Sequence, residues 1–249
     1  MKKIDFHIPD LWENESDILA VFTKKNADVL SENRQIKGLN LGLNTNEDAS
    51  VILENRKLLY QELDLNDENV ALVHQVHGNQ VIFITEPQND IDADALVTNV
   101  PGLAIGIKVA DCAAVLLADR VHRVVGAAHA GWRGAVSGVV KNTIQKMIQK
   151  GAETDQIEAY VSPCICQKKF EVGEEVAVQF DDKFVDRKHF SKPHVDLKGY
   201  LKDQLMQLNV KQSNIEVDSG CTISDEKKFY SYRREKNKSG RMLALICLR

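Results

Sequence analysis

The middle of the chain is built from short apolar runs that polar and turn residues interrupt. Between residues 94 and 129 these runs read DALVTN, LAIGIKVA, AAVLLAD and RVVGAAH. Each run is shorter than an average helix, and apolar runs of this length bounded by turn residues are typical of strands buried on both faces. The pattern predicts a buried sheet core, although AAVLLAD also fits a short helix.

The flanking segments show strand and helix patterns in turn. Residues 70–84 predict a strand, a Gly-Asn turn and a second strand, with His77 at the turn. Residues 48–63 combine good helix formers with an acidic first turn and predict a helix. A second helix is predicted after the AGWRG turn, where apolar residues keep helical spacing as far as Gly151. Further elements are expected at 158–163 (strand), 172–180 (helix), 195–208 (helix), 214–220 (strand) and 240–248 (strand).

Three residues with metal-binding chemistry stand where predicted strands run out into turns. They are His77 in VHQVHG, Cys112 in VADCAAVLLAD and His129 in GAAHAGWRG. Imidazole nitrogen and thiolate sulfur suit Zn²⁺, and a catalytic zinc site keeps three protein ligands and one open position. If the turns meet in the fold, the chain is an enzyme with such a site. Taken singly, each residue also fits a hydrogen-bonded or packed structural role.

Residues beside these three have further candidate roles. Asp111 would orient a ligand histidine or a bound water, or would cap the next segment. Gln75 shares a strand face with His77, because strand side chains alternate. Arg133, at the predicted start of a helix, would dock a phosphate or carboxylate, and its alternative is a solvated charge.

Two other segments carry chemistry that the sequence leaves open. The basic stretch FYSYRREKNKSGRM suits phosphate binding or stacking on a base, but it also fits a solvated loop. Cys164 and Cys166 lie in SPCICQ, where the spacing is P-C-x-C. The zinc deaminase signature needs H-x-E followed by P-C-x-x-C, and this chain has no H-x-E.

Composition and charge limit the class of protein. The chain has 249 residues, of which 43% are hydrophobic and 27% charged, so it is long enough for one α/β or α+β domain with a substantial core. With a net charge of −4 and a pI near 6.0, the chain shows no excess of positive charge that would indicate binding to nucleic acid or to an anionic membrane. The five cysteines have no disulfide-like spacing, and no run is long enough to cross a bilayer. We expect a cytoplasmic, monomeric protein.

At this point the motifs resemble those of the YfiH-like proteins, also called the polyphenol oxidoreductase laccase or laccase-domain family. The resemblance covers nearly the whole chain, in order, through VHQVHG, DALVTNVPGLAIGIKVADCAAVLLAD, GAAHAGWRG, SPCICQKKFEVGEEV and FYSYRREKNKSGRMLALI. GLNLGL with Asn40 and ENRKLL with Arg56 resemble the family's amino-terminal pattern. The SPCICQ segment departs from the family's GPCIGPCCYEVG, which leaves the roles of Cys164 and Cys166 open.

The resemblance implies a fold and a metal. The fold is an α+β, layered α/β/β/α sandwich with mixed sheets, forming one catalytic domain over 1–249 and similar to the catalytic domain of cytotoxic necrotizing factor toxins. The metal is Zn²⁺, and by motif its ligands are His77, Cys112 and His129.

Family members have been assigned three activities: copper-dependent phenol oxidation, phosphorolysis of purine nucleosides with associated adenosine deamination, and editing of peptidoglycan precursors. Copper chemistry is disfavoured, because none of the seven histidines forms an H-x-H pair. The favoured hypothesis is a zinc-dependent purine nucleoside phosphorylase acting on adenosine, inosine and guanosine, and on methylthioadenosine as an extension. Its partners are the small-molecule nucleoside and phosphate.

The hypothesis assigns a role to each candidate residue. Zinc on the His-Cys-His set binds water or a substrate oxygen, and a metal-bound water of lowered pKa serves deamination. Arg133 holds phosphate, supported by Arg56 or Arg234, while Asn40 and Gln75 position the nucleoside near Asp111.

Two alternatives stay open beside copper chemistry. Cys112 would be a nucleophile activated by a histidine, as in a cysteine hydrolase that edits an amide-linked cell-wall precursor. Otherwise the three residues would hold zinc for stability alone, and a fourth protein ligand such as Cys164 or Cys166 would support that interpretation.

Overall fold

Two mixed β-sheets packed face to face form the centre of the computed structural model, which describes residues 3–28, 34–88 and 91–249. The five-stranded sheet contains, in spatial order, β1 (Phe6–His7), β2 (Ile18–Thr23), β13 (Met242–Leu248), β6 (Ala104–Val109) and β3 (Val70–Leu72). The six-stranded sheet contains β12 (Ile215–Val217), β9 (Glu158–Val161), β7 (Ala113–Asp119), β8 (Val124–Ala130), β5 (Ala95–Thr98) and β4 (Val81–Phe83). A separate ribbon pairs β10 (Val185–Asp186) with β11 (His194–Val195).

Both large sheets are mixed in strand direction. In each, the inner pairs are antiparallel, and a parallel pair lies at the edge: β3 with β6, β4 with β5, and β12 with β9. The AAVLLAD run is the strand β7 and not a short helix, because it pairs with β8 on one side and β9 on the other. The prediction of a buried sheet core between residues 94 and 129 is confirmed.

Helices cover the outer faces of the two sheets. They are α1 (Ala49–Glu62), α2 (Trp132–Val136), α3 (Val139–Ile148), α4 (Glu174–Ala177), α5 (Leu197–Gln207) and α6 (Tyr232–Glu235). The helix predicted over residues 48–63 is α1, and its first turn is capped by the Asp48 carboxylate, which accepts from the Ser50 N–H. The helix predicted after AGWRG is split in two, because Gly138 has a φ of 86° and interrupts the helical backbone.

Three apolar layers hold the sheets and helices together. The first lies between the sheets and includes Phe22, Ile105, Ile107, Leu116 and Ala127. The second packs α1 on the five-stranded sheet, and the third packs α3 and α5 on the six-stranded sheet. The α/β/β/α layering expected from the resemblance is confirmed, and the similarity to cytotoxic necrotizing factor stays a prediction.

The segment predicted as strand, turn and strand has its strands but is not a hairpin. β3 belongs to the five-stranded sheet and β4 to the six-stranded sheet, so residues 73–80 cross from one sheet to the other. The three residues between β6 and β7 make a second crossing. Alternation of side chains reports which face of a strand is buried but not which sheet the strand joins. The crossings bring His77 and Cys112 to the same edge of the sandwich.

Among the described residues, no helix is both long and apolar enough to cross a membrane. All five cysteines are free thiols.

Candidate metal centre

His77, Cys112 and His129 meet at the edge where the two sheets are joined. Their ligand atoms all lie within 4.8 Å of one another. The imidazole rings of His77 and His129 are 4.8 Å apart at their centroids and nearly perpendicular, at 79°. His77 is exposed, Cys112 is half-buried and His129 is buried, so the set opens to solvent on the His77 side. The prediction that the three turns meet is confirmed.

Strained backbone places two of these side chains. His77 lies in the first crossing with a φ of 61°, and Asp111, immediately before Cys112, has a φ of 87°. The left-handed region is unfavourable for residues other than glycine, and such strain concentrates at functional sites. His129 needs no strain, because it lies within β8 and pairs across the sheet with Ala114.

The carboxylate of Asp94 ties two of the three ligands to each other. One oxygen accepts from the His129 ring nitrogen Nδ1 at 2.8 Å and from the His77 backbone N–H at 2.9 Å, and the other accepts from the Gly78 N–H at 2.6 Å. Burial alone would raise the pKa of Asp94, but these hydrogen bonds lower it. An ionised carboxylate only accepts, so Nδ1 of His129 carries a proton and Nε2 is left for a metal or for Cys112. Sequence reasoning missed Asp94, although its position at the start of DALVTN, in front of a buried strand, was a usable signal.

A glycine makes room for the Cys112 sulfur. A Cβ atom on Gly131 would lie 2.9 Å from Cys112 Sγ and 3.7 Å from His77 Cδ2. The backbone of Gly131 has a φ of −67°, which any residue adopts, so close packing against the sulfur is the reason for glycine here. The GWRG turn therefore contributes two things to the site: the space that Gly131 leaves for the sulfur, and the side chain of Arg133.

Cys112 and His129 form a charged pair. Burial opposes the thiolate, but the charge of His129 and the nearby polar groups of His129 and His77 lower the pKa of Cys112. Burial also opposes a charged imidazole, but Cys112 and Asp94 raise the pKa of His129. A thiolate is the form of cysteine that binds metals and attacks electrophiles.

These residues fit a zinc ion with one open position. The donor set is one thiolate and two imidazoles, and tetrahedral zinc brings such atoms to about 3.4–3.6 Å from one another, compared with at most 4.8 Å here. No fourth His, Cys, Asp or Glu joins the cluster in the part of the chain that the structure describes. Cys164 is fully buried, its thiol faces the Ile165 carbonyl oxygen, and burial raises its pKa.

Asp111 connects the Cys112 turn to two later loops. Its carboxylate accepts from the Thr222 hydroxyl at 2.7 Å, from the Ser231 hydroxyl at 3.0 Å and from the Arg233 N–H at 2.7 Å. Its backbone oxygen accepts from the Ile165 N–H. The Asp111 side chain therefore fixes the turn that presents Cys112.

Asn40 and Gln75 support other residues from buried or half-buried positions. Asn40 is fully buried, and its side-chain oxygen accepts from the backbone N–H groups of Gly42 and Arg241. Gln75 exchanges two hydrogen bonds with the backbone of Lys108, at 2.8 and 2.9 Å. Neither side chain reaches the three ligands, and their assignment to the nucleoside stays a prediction.

The three predicted arginines lie in three different surroundings. Arg56 is largely buried and donates through Nε and one terminal nitrogen to the Leu41 carbonyl oxygen. Arg234 donates to the carbonyl oxygens of Thr222, Ile223 and Phe229 and pairs with Glu235. Arg133 is exposed and lies over the Trp132 ring at 4.5 Å. Of the three, only Arg133 presents its charge on an open surface.

A cleft of about 380 Å³ opens beside Arg133, and its walls include Trp132, Arg133, Phe170, Lys192 and Arg233. Trp132 follows His129 by three residues, and the backbone of Arg233 is bonded to Asp111. The cleft is thus connected to the turns that carry the ligands, and it combines aromatic rings and cations with the carboxylates of Glu171 and Glu175.

The chain is similar to proteins with named enzymatic activities. A curated protein named purine nucleoside phosphorylase, from Deinococcus radiodurans, is 40% identical over 186 residues, which are 73% of this chain and 71% of that protein. A protein named adenosine deaminase RL5, from an unknown prokaryotic organism, is 33% identical over 200 residues, which are 74% of this chain and 76% of that protein.

Solved structures share the fold along nearly the whole chain. The YfiH protein of Bacillus licheniformis superposes with a TM-score of 0.87 and 26% identity and covers 95% of both chains. YlmD from Geobacillus stearothermophilus gives a TM-score of 0.85 and 25% identity, covering 94% of this chain and 93% of its own.

Residues 19–249 match the family described as multi-copper polyphenol oxidoreductase laccase. This match spans the six-stranded sheet, the five-stranded sheet apart from β1 and the first residue of β2, and all three candidate ligands. The chain therefore belongs to the YfiH-like, laccase-domain family.

Proposed function

We propose that the protein is a zinc-dependent purine nucleoside phosphorylase with an associated adenosine deaminase activity. The observation that carries the proposal is the His77–Cys112–His129 cluster, whose three ligands converge without a fourth protein ligand among the described residues. The relatives named purine nucleoside phosphorylase and adenosine deaminase support the same substrate class. The proposed substrates are adenosine, inosine and guanosine, with methylthioadenosine as an extension.

The reaction exchanges one bond at the sugar. A phosphate oxygen forms a bond to C1′ of the ribose as the bond from C1′ to the purine nitrogen breaks. The purine leaves with the electron pair of that bond and takes up the proton that phosphate loses, so the products are free base and ribose 1-phosphate. Deamination of adenosine instead consumes water and releases ammonia. When bound, zinc supplies Lewis acidity and lowers the pKa of water.

The chain's own residues prepare this site. Asp94 fixes the orientation and the tautomer of His129, and Asp111 fixes the turn that carries Cys112. The adjoining cleft offers the Trp132 and Phe170 rings for contact with the nucleoside and the Arg133 guanidinium for its polar groups. Aromatic faces bind purines with little dependence on the identity of the base.

The test is phosphate-dependent release of base from adenosine and inosine by the zinc-loaded protein, followed by mass spectrometry beside Cys112→Ala. We expect free base and ribose 1-phosphate from the wild type only. Equal phosphorolysis by Cys112→Ala would contradict the assignment of the site.

A second candidate function is cysteine-dependent hydrolysis of an amide-linked cell-wall precursor. The observation that favours it is the pairing of Cys112 with His129, which Asp94 orients as in a Cys-His-Asp triad. Chelation separates the two candidates. Removing zinc would abolish phosphorolysis, whereas a thiolate nucleophile would keep its activity without metal.

A further inference from the structure

Arg56, Lys108 and Arg241 form a cationic group that the proposed chemistry has not yet used. Lys108 lies on β6 opposite Leu243 and points to the α1 side of the sheet, because its neighbours Ile107 and Val109 belong to the layer between the sheets. Arg56 lies on α1, which packs on that same face. Burial and the charges of Arg56 and Arg241 together lower the pKa of Lys108 to about 8.

The backbone joins the two arginines of this group. Arg56 donates to the Leu41 carbonyl oxygen at 2.9 and 3.1 Å, and the Leu41 N–H donates to the Arg241 carbonyl oxygen at 3.2 Å. The Arg241 stem packs on Gly42, where an added Cβ would collide with Arg241 Cγ. The positions of the two guanidinium groups are therefore linked through the loop at residues 40–42.

No carboxylate among the described residues forms an ion pair with any of the three cations. Arg241 donates only to the carbonyl oxygens of Ser239 and Gly240, and the Lys108 ammonium only to that of Val73. Nη1 of Arg56 and Nε and Nη2 of Arg241 have no hydrogen-bond partner in the described ranges. Asp67 acts on the charge of Arg56 and Asp111 on that of Arg241 without forming an ion pair, so the group keeps free donors for a further anion.

The group lies next to the metal centre. Lys108 precedes Cys112 by four residues, and Arg241 is close enough to Cys112 and Asp111 for both to act on its charge. The exposed Tyr232 ring lies 5.6 Å from the Arg241 guanidinium and adds an aromatic wall at the same opening.

We infer that Arg56, Lys108 and Arg241 bind the inorganic phosphate that attacks the nucleoside, and that Asn40 and Gln75 position these cations. The inference rests on the proposed phosphorylase function. It assigns inorganic phosphate, the second substrate of that reaction, to a separate binding site. Gln75 holds the Lys108 backbone through two hydrogen bonds, and Asn40 holds the Arg241 N–H. Arginine forks and a lysine charge are the usual partners of phosphate oxygens.

The test measures phosphorolysis and deamination of adenosine by one preparation of zinc-loaded Lys108→Met, with Arg241→Gln as the second variant. Lys57→Met is the matched control, because Lys57 is an exposed neighbour of Arg56 on α1. We expect KM for phosphate to rise about 10-fold or more in the two variants, as loss of a charged hydrogen-bond partner implies. Deamination needs no phosphate, so the ratio of phosphorolysis to deamination should fall about 10-fold or more in the two variants and stay within about twofold of wild type in Lys57→Met.

A binding measurement separates this inference from the proposed function. Inorganic phosphate should raise the melting temperature of the wild type and of Lys57→Met above that in chloride of equal ionic strength, but not that of Lys108→Met. If the wild type has no phosphorolysis but shows this pattern, the proposed function fails and the anion site stands. The inference is overturned if wild type and Lys108→Met respond equally to phosphate, if deamination falls in step with phosphorolysis, or if Arg133→Met alone raises KM for phosphate.

Discussion

Asp94 decides the geometry of the candidate metal centre although it is not one of the three ligands. Its single carboxylate fixes the ring of His129 and the backbone of His77, whose positions are otherwise set by different sheets. A neutral amide would offer one accepting oxygen in place of two. Outer hydrogen bonds of this kind hold a ligand ready before the metal arrives.

We therefore expect Asp94→Asn to weaken zinc binding by about 10- to 100-fold while all three ligands remain. The measurement is competition for zinc with a chelator of known affinity. Asp92→Asn is the matched control, because Asp92 is exposed and pairs only with the exposed His74. Equal zinc affinity in the two variants would remove Asp94 from the centre.

The substitution Gly131→Ala tests the space around the sulfur. The added Cβ would lie 2.9 Å from Cys112 Sγ, so the sulfur or the turn must shift and the spacing of the three ligands changes. We expect a lower zinc content and loss of both activities without removal of any ligand. A zinc content equal to that of wild type would show that the turn yields easily and that the close approach has no function.

Lys108 gives the phosphate site a pH dependence. Burial together with Arg56 and Arg241 lowers its pKa to about 8, so the ammonium loses its proton as the pH rises through that value. Phosphate needs the charged form, so KM for phosphate should rise above about pH 8 in the wild type. Lys108→Met should lack this rise, and an identical profile in both proteins would exclude Lys108 as its source.

At the residue scale, the sequence identified the ligands better than their supports. The three ligands were predictable because imidazole and thiol groups that lie together at strand ends commonly bind a metal ion. They are His77, Cys112 and His129. Lys108 was not predictable, since a lysine within a strand is an ordinary feature, and Asp94 was missed although its place in front of a buried strand gave a signal. Their importance depends on partners that come from other elements.

At the element scale, Arg234 closes the loop between β12 and β13. Its guanidinium donates to three carbonyl oxygens, those of Thr222, Ile223 and Phe229, and this loop supplies the hydroxyl groups that hold Asp111. A short helix in the same loop, α6, is capped by Ser231, whose hydroxyl accepts from the Arg234 N–H. Arg234 therefore joins both ends of this loop segment.

Arg234→Met should lower the free energy of unfolding by about 1.5–3 kcal/mol, because three carbonyl oxygens lose a charged donor. Chemical denaturation gives this value, and KM for phosphate should stay near that of wild type. A large rise in that KM with unchanged stability would favour direct contact between Arg234 and phosphate.

Element boundaries followed from the sequence where local chemistry sets them, as at Asp48, which caps α1. The sequence did not predict the pairing of strands where contacts between distant residues determine it. The strands at residues 70–72 and 81–83 look like two arms of a hairpin, yet they join different sheets. The segment between them is fixed near the ends of β5 and β8, where the Asp94 carboxylate accepts from the backbone N–H groups of His77 and Gly78. No periodicity in a single chain reports such a crossing.

At the scale of the whole molecule, the candidate metal centre joins the two sheets. His77 and Cys112 lie in the two crossings, and His129 lies on the six-stranded sheet. An ion held by all three would bind the folded chain far more tightly than the unfolded one, so its binding free energy adds to stability.

Removal of zinc should therefore lower the melting temperature of the wild type, by several degrees or more at saturating metal. Cys112→Ser should melt at the same temperature with and without zinc. Differential scanning calorimetry before and after dialysis against a chelator makes the comparison, and an unchanged wild-type transition would show that the centre does not couple the sheets. The layered fold itself was predictable through the family resemblance, whereas the partner sheet of each strand was not.

The two crossings also determine when the ligand set assembles during folding. Each sheet contains strands from distant parts of the chain, as β13 shows by lying between β2 and β6, and such nonlocal pairing is slow. We therefore expect His77 and Cys112 to reach His129 only after both sheets have formed and docked. Cobalt, bound in place of zinc, would report that late step through its thiolate absorption band, after the far-ultraviolet signal of secondary structure is complete. Assembly of the candidate metal centre would therefore report the last step of folding.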